Sequence, residues 1–287
     1  MPYKEWGEPI DGVPPVIALG GISTRPSDWA ELPLHLDRHF IAIGIPDGCE
    51  HPDVPTIGRY ASYIGKAALE IVRDRYDVQE DKPVEIDELA WSWGGFPAQK
   101  LAIRSLYGEL KVRRMVLMAT MPAGMTPFGW VPQPRNVKAA MAIMGHDRNG
   151  HDPRDVYGGD YWDNEEILKR FENIVGRKID SHSHRRQVEA AFMEMMSGSL
   201  TLGTMMTRWM GIGPRTLVML GDDDPVIPYG LARNLALGAL MEPHTVHKGG
   251  HLFPAADPEG TAQTITEFLD EPVRLPFMNV LGRMAFA

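Results

Sequence analysis

The chain has 287 residues, of which 44% are hydrophobic and 23% are charged. This is the composition of a globular protein, so it excludes the disordered and fibrous classes. The 29 basic and 38 acidic residues give a net charge of −9. Because no stretch of the chain concentrates the basic residues, nucleic acid is excluded as a partner.

The single cysteine, Cys49, excludes a disulfide within the chain and a cysteine metal cluster. The first residues carry charges and lack the apolar core of a signal peptide. No apolar run approaches the roughly 18 to 20 residues that a membrane-spanning helix needs. We therefore expect a soluble, cytoplasmic protein without integral membrane association.

Short apolar runs bounded by Gly, Pro and Asp alternate with helical patterns along most of the chain. The apolar runs predict buried strands at residues 15–20, 40–45, 86–91, 112–119, 216–220 and 244–247. Apolar residues spaced by three and four predict helices at 60–72, 96–107, 231–241 and 261–269. This alternation predicts an α/β protein with a mostly parallel sheet and helices on both faces.

The alternation is interrupted between residues 122 and 210, where the patterns predict helices but no strand. The expected helices cover residues 137–144, 165–174, 185–196 and 204–210. We therefore predict a core formed by residues 1–121 and 211–287, with a helical cap formed by residues 122–210. Ligands bind at the carboxyl ends of the strands in open parallel sheets, and we expect the cap to cover that edge.

The segment from Ala90 to Gly94 follows a predicted strand and opens a predicted helix. It fits the nucleophile elbow G-x-S-x-G, with Ala90 in the place of the first glycine and Ser92 at its centre. The residues two before and two after the serine must be small, because the chain turns sharply there. The alternative interpretation is an ordinary buried serine in a glycine turn. Glu88 lies inside the same strand, so we expect either a partner for its charge or a less buried strand.

A serine nucleophile needs a base, and the base needs a carboxylate that orients it. Asp224 lies in a loop after the strand at 216–220, and His251 follows two glycines after the next strand. Ser, Asp and His therefore occur in the order typical of this strand-turn-helix arrangement. We expect the neighbouring Asp222 and Asp223 to cap the loop or face solvent.

Other histidines are weaker candidates for the base. His247 lies inside the predicted strand at 244–247, where a core or surface histidine without a catalytic role is expected. His182 and His184 lie within the predicted cap. They leave a metal pair open, although no third ligand of clear spacing follows.

Two backbone N–H groups are candidates for an oxyanion hole. The N–H of Trp93, directly after the serine, can point at a developing oxyanion. The second donor is expected after the first core strand, where Gly20 and Gly21 allow the backbone to approach a substrate. We predict the N–H of Gly21 as this donor, with Ile22 as the second choice. A plain turn at the end of the strand is the alternative.

With these residues in place, the chain resembles serine hydrolases of the α/β-hydrolase fold from residue 16 to about residue 269. Within them it is most similar to intracellular medium-chain-length poly(3-hydroxyalkanoate) depolymerases. The segments that carry this closer resemblance are 92–95, 117–120, 156–159, 220–228 and 250–253, with the Tyr-Gly-Gly at 157–159 the most specific of them. The resemblance implies Ser92 as nucleophile, Asp224 as orienting acid and His251 as base, and the ester backbone of a hydroxyalkanoate polymer as substrate. Leu19 departs from the histidine or asparagine of most relatives, which leaves the anchoring of the following loop open.

These observations predict a serine carboxylester hydrolase that acts through an acyl-enzyme and needs no metal or organic cofactor. Its substrate is expected to be a small or polymeric ester with medium or long apolar chains. The residues predicted to bind the substrate are Ile22, Met121, Val226 and Met196. The 17 methionines support an adaptable apolar pocket, because several of them cluster in the predicted cap, although methionine also fills ordinary cores.

The same residues leave other functions and partners open. A hydrolase of carbon–carbon bonds in ring-cleavage products, or a perhydrolase, would use the same triad. Arg185, Arg186 and Arg208 could meet the carboxylates of such substrates. A binding protein without catalysis is disfavoured, because all three triad residues are present. The apolar tail at 273–287 leaves open docking on the core, contact with a granule or lipid surface, and a homo-oligomer.

Overall fold

The computed structural model describes residues 2–29, 31–44, 56–122, 133–144, 152–169 and 181–272. Within these residues one sheet of seven strands runs in the order β1-β3-β2-β4-β5-β6-β7. The strands are β1 (Tyr3–Trp6), β2 (Val16–Leu19), β3 (Phe40–Ile43), β4 (Val84–Trp91), β5 (Leu110–Met118), β6 (Arg215–Gly221) and β7 (Glu242–Val246).

The sheet is mostly parallel. Strand β1 pairs antiparallel with β3, whereas every other pair, from β3 through β7, is parallel. This confirms the predicted class. The apolar patterns do not predict strand β1, because its residues include Lys4 and Glu5 and form no apolar run. It lies at the edge of the sheet, where its residues are exposed or half-buried. Strand β7 forms the other edge and is more exposed than its prediction as a buried strand implies.

Each predicted helical segment overlaps a described helix, whereas two short helices, at Pro153–Tyr157 and Phe253–Ala256, are not predicted from the sequence. The described helices are α1 (Ile57–Tyr76), α2 (Gly95–Arg104), α3 (Pro134–Met144), α4 (Pro153–Tyr157), α5 (Ser181–Ser197), α6 (Ser199–Trp209), α7 (Tyr229–Gly238), α8 (Phe253–Ala256) and α9 (Pro258–Asp270). Of the helix predicted at 165–174, residues 165–169 are helical and the rest lies outside the described residues. In the described part of the chain, no helix has the length and apolar character to cross a membrane.

Two apolar cores cover the two faces of the sheet. On β2, Ile17 and Leu19 face the core that packs against α1, α2 and α7. Val16 and Ala18 face the opposite core, which packs against α9 and the short 3₁₀ helices at Pro26–Trp29 and Leu32–His35. The strand alternates its side chains between the two faces. The result is three layers, helix–sheet–helix.

Helices α3 to α6 all lie in the chain between β5 and β6. The described residues of this interval contain helices and loops but no strand, as the sequence patterns predict. The boundaries of a cap at residues 122 and 210 remain a prediction.

The sequence leads us to expect either a partner for the charge of Glu88 or a less buried strand, and the structure shows neither. Glu88 is 1% exposed, and neither carboxyl oxygen has a hydrogen-bond partner among the described residues. Burial raises the pKa of this carboxyl well above its ordinary value, because removal from water disfavours the charged form. Its neighbour Asp87 points to the other face of the sheet, where Arg113 and Arg38 pair with it. Burial thus favours the protonated form of Glu88, whose carboxyl oxygens have no hydrogen-bond partner among the described residues.

Candidate active site

Ser92 lies on a sharp turn between β4 and α2. Residues Ser92–Gly94 form one 3₁₀ turn that joins the strand directly to the helix. Ser92 has φ +53°, a left-handed conformation that is strained for any residue other than glycine. A Cβ atom at Gly94 would lie 2.4 Å from the carbonyl oxygen of Leu19. Ala90 is fully buried in the strand. The turn therefore requires the small residues that the elbow pattern places at these two positions.

Ser92, His251 and Asp224 are hydrogen-bonded in series at the carboxyl edge of the sheet. The Oγ of Ser92 lies 2.8 Å from Nε2 of His251, and Nδ1 of His251 lies 2.9 Å from Oδ2 of Asp224. Because a carboxylate only accepts hydrogen bonds, we assign the proton of the neutral ring to Nδ1, which leaves Nε2 to accept from the serine hydroxyl. This arrangement can abstract the proton of Ser92 and stabilise the imidazolium that forms.

The loop after β6 fixes the carboxylate. Oδ1 of Asp224 accepts hydrogen bonds from the N–H groups of Val226, at 2.7 Å, and Ile227, at 3.0 Å. The other oxygen is thereby directed at His251. Asp224 and His251 are 6% and 4% exposed, so their hydrogen bond is largely shielded from water.

The segment Tyr157-Gly158-Gly159 braces the histidine loop. The N–H of His251 donates to the carbonyl oxygen of Tyr157 at 2.6 Å, and the two rings stack at 6.5 Å. The N–H of Gly159 donates to Oδ2 of Asp223 at 2.8 Å. Gly158 has φ +63° and ψ −170°, a conformation open essentially to glycine alone. The segment thus contacts both the acid loop and the histidine loop.

The rival acids and the rival histidine have other contacts. Asp222 accepts from the N–H of Lys248 at 2.6 Å and lies 3.1 Å from Nδ1 of His247. Asp223 pairs with Arg135 at 2.8 Å. The side chain of His247 is 85% exposed. Asp222 therefore contacts the histidine loop, and Asp223 contacts helix α3 and Gly159.

The glycine loop, residues 20–24, lies directly against Ser92. A Cβ atom at Gly21 would lie 3.2 Å from Cβ and 3.6 Å from Oγ of Ser92. The loop closes on itself, since Oγ1 of Thr24 donates to the carbonyl oxygen of Gly21 at 2.8 Å. The structure therefore places the backbone of both predicted oxyanion donors, Gly21 and Trp93, next to the serine.

The four residues predicted to bind substrate have different surroundings. Ile22 is half-buried and touches both apolar cores, and Val226 is half-buried beside the core that faces α9. Met121 is 2% exposed within the core that faces α1. Met196 belongs to α5, but its side chain lies outside the described residues.

Three of the described methionines of the predicted cap lie largely at the surface. Met193, Met206 and Met210 are 51%, 49% and 62% exposed. A side chain that is half or more exposed contributes surface, so these three differ from the enclosed pocket that the methionine clustering suggests.

Sequence reasoning missed the contact between α5 and the glycine loop. The N–H of Ser23 donates to Oε1 of Gln187 at 2.9 Å, and Oγ of Ser23 lies 2.9 Å from Nδ1 of His184. The sequence leaves His184 open as half of a metal pair with His182. The described residues contain no group of three or more side chains able to hold a metal ion. The spacing of three between His184 and Gln187 places both on one helix face, but it does not identify the loop they meet.

Solved structures of similar shape come from several hydrolases. An esterase from Thermogutta terrifontis is 17% identical, with a TM-score of 0.65 over 93% of this chain and 92% of that one. An enol-lactonase from Burkholderia xenovorans LB400 is 22% identical, with a TM-score of 0.66 over 94% and 96%. An N-acyl homoserine lactone degrading enzyme is 20% identical, with a TM-score of 0.58 over 93% and 95%. At these identities the likeness shows the fold alone.

Comparison of the sequence with known proteins identifies a family but no individual relative. No curated protein matches the chain. The family model described as the alpha/beta hydrolase family matches residues 16–264, which is most of the chain and includes all the strands except β1. This confirms the predicted fold: the chain belongs to the alpha/beta hydrolase family.

Proposed function

We propose that this protein is a serine carboxylester hydrolase with Ser92 as nucleophile, His251 as base and Asp224 as orienting acid. The observation that carries the proposal is the hydrogen-bonded series from Ser92 through His251 to Asp224, with distances of 2.8 and 2.9 Å. The left-handed turn at Ser92 supports it, because such a conformation is maintained only where the surrounding structure enforces it.

The chemistry follows from the positions of these groups. His251 takes the proton of Ser92 as the hydroxyl attacks the acyl carbonyl, and Asp224 stabilises the resulting imidazolium. The N–H groups of Gly21 and Trp93 receive the oxyanion, and one such donor is worth roughly 10² to 10³ in kcat. The alcohol leaves with the proton from His251, and water then releases the acyl-enzyme by the same path.

We propose medium or long-chain apolar esters as substrates, with poly(3-hydroxyalkanoate) as the polymeric candidate. The resemblance of residues 92–95, 156–159 and 220–228 to intracellular depolymerases supports this choice. We also propose that residues 122–210 form a cap over the site. The contacts of Tyr157 with His251 and of Gln187 with Ser23 support a cap that meets the site at two points.

Carbon–carbon bond hydrolysis of ring-cleavage products is the second candidate, because the same triad would serve it. The contacts of two of the three arginines named for such substrates, Arg208 and Arg185, argue against it. Arg208 donates to the carbonyl oxygen of Leu240 at 2.8 Å, and Arg185 is 76% exposed and lies 3.5 Å from Glu189. Arg208 is thus engaged by the backbone, and Arg185 lies at the surface. Neither is a buried guanidinium available to a substrate carboxylate.

Initial rates on p-nitrophenyl esters from acetate to dodecanoate test the proposal, with the wild type, Ser92→Ala and the control Ser27→Ala, which changes an exposed serine. We expect Ser92→Ala to lose at least about 10⁴ in kcat, Ser27→Ala to match the wild type, and the rate to peak at medium or long chains. Hydrolysis that persists in Ser92→Ala would refute the nucleophile. An optimum at acetate would refute the preference for apolar chains. If the optimum lies at medium or long chains, hydrolysis of a poly(3-hydroxyalkanoate) suspension tests the polymer directly.

A further inference from the structure

We propose that Gln187, on helix α5, is a positioning residue for the oxyanion hole. Its buried side chain holds the glycine loop against Ser92, and the residue belongs to the helical interval between β5 and β6. The inference deepens the proposed function and rests on it, because it takes Gly21 and Trp93 as the oxyanion donors.

The glycine loop needs an external anchor. Leu19, which precedes it, is apolar and 2% exposed, so it offers the loop no polar side chain. Ser23 has φ +58°, which is strained for a residue with a side chain. A strained loop conformation persists when its surroundings enforce it. At Ser23 the residues that hold this conformation belong to α5.

Two hydrogen bonds tie Ser23 to α5. Its N–H donates to Oε1 of Gln187, and its Oγ meets Nδ1 of His184, both at 2.9 Å. Gln187 and His184 are 2% and 1% exposed. A buried amide oxygen that lost its donor would be left unsatisfied, so the pairing fixes the loop at one distance from the helix.

Gln187 also contacts the other half of the hole. Its backbone carbonyl oxygen accepts from Nε1 of Trp93 at 2.8 Å. Trp93 is 5% exposed, and its ring packs edge-to-face on Tyr60 at 5.1 Å. One residue of α5 is therefore bonded both to the loop that carries Gly21 and to the residue whose backbone N–H is the other donor.

The consequence concerns the transition state more than the binding of substrate. The two donors must lie about 3 Å from the oxygen that becomes charged, so a small shift of the glycine loop weakens the hydrogen bond that forms during reaction. A substrate bound mainly through its apolar chain is affected much less. Loss of the anchor should therefore lower kcat and leave KM nearly unchanged.

Substitutions of similar size separate the hydrogen bond from packing. Gln187→Met keeps the volume and removes the acceptor, whereas Gln187→Glu keeps an acceptor oxygen for the N–H of Ser23. Both leave the backbone carbonyl that binds Trp93. Gln263→Met is the matched control, because Gln263 is exposed on α9 and bonds to Glu267. Ser23→Ala removes only the bond to His184 and serves as a second variant, should Gln187→Met fail to fold.

The assay is steady-state hydrolysis of the best p-nitrophenyl ester, with folding checked by circular dichroism. For Gln187→Met we expect kcat to fall about 10- to 100-fold, below the full loss of one donor, with KM within about threefold of the wild type. Gln187→Glu should recover part of kcat, Ser23→Ala should lose less, and Gln263→Met should match the wild type.

Three results would overturn the inference. They are an unchanged kcat in both Gln187→Met and Ser23→Ala, a rise in KM at constant kcat, and a loss in Gln187→Met that Gln187→Glu does not restore. Failure of the proposed function looks different, because the wild type itself would then show no hydrolysis dependent on Ser92, and the inference would fall with it.

Discussion

Replacing Glu88 by glutamine should change how the stability of this protein depends on pH. Glu88 is 1% exposed and lies in β4 between Ile86 and Ala90, and its Cα partners in the adjacent strands are Ile17 and Met115. Burial raises the pKa of the folded-state carboxyl well above its ordinary value. In the unfolded chain the same group ionises with a pKa of about 4.3.

The sign of the effect follows from proton release. Between the unfolded and the folded pKa, the folded protein holds a proton on Glu88 that the unfolded chain lacks. Stability contributed by a raised pKa is fully present below the unfolded pKa and is lost as pH rises through the folded pKa. Over that range the loss is about 1.4 kcal/mol per pH unit, the value for one proton. Glu88→Gln removes the titration and keeps the size.

Equilibrium urea unfolding at several pH values, followed by tryptophan fluorescence, measures this. We expect wild type and Glu88→Gln to be similar in free energy of unfolding near pH 5, with the variant gaining as pH rises. Within the range between the two pKa values, each pH unit widens the gap by roughly 3 to 6 °C in Tm. Glu85→Gln is the control, because Glu85 is exposed on the same strand, and should shift stability by less than about 0.5 kcal/mol at every pH. Parallel pH profiles for wild type and Glu88→Gln would refute the reasoning.

Two further predictions concern the triad and the segment that braces it. Asp224→Asn should lower kcat by about 10⁴ because the amide no longer holds His251 in the required tautomer, and steady-state kinetics with an unchanged circular dichroism spectrum measures it; a loss below tenfold would contradict the orienting role. Gly158→Ala would place a Cβ 1.9 Å from the carbonyl oxygen of Asp223 at a positive φ, so urea unfolding should show a loss of roughly 3 kcal/mol or more. Its control, Gly230→Ala, meets no atom within 4 Å and should gain about 0.5 to 1 kcal/mol; equal stability of the two variants would argue against the clash.

Local patterns in the sequence are sufficient to predict the α/β class and the order of the core elements. A buried strand such as β2 or β3 is apolar on both faces, so it stands out as a short apolar run. Strand β1 does not stand out, because an edge strand with Lys4 and Glu5 satisfies part of its backbone with solvent and needs no such run.

The order Ser92, Asp224, His251 is likewise visible in the sequence alone. Each residue follows a predicted strand, and parallel strands bring their carboxyl ends to one edge of a sheet. Chain order and strand direction together are therefore enough to expect the three side chains in one place, and the fold brings them within hydrogen-bonding distance.

Contacts between parts distant in sequence are decided by the tertiary structure alone. The sequence places His184 and Gln187 on one helix face, but it contains no signal that they meet Ser23 more than 160 residues away. It shows a charge at Glu88 inside a strand, yet whether that carboxyl is paired or protonated depends on which side chains surround it in the folded core. Patterns of two to four residues report the local conformation of the chain, whereas partners and protonation states depend on how the elements pack, which no local pattern records.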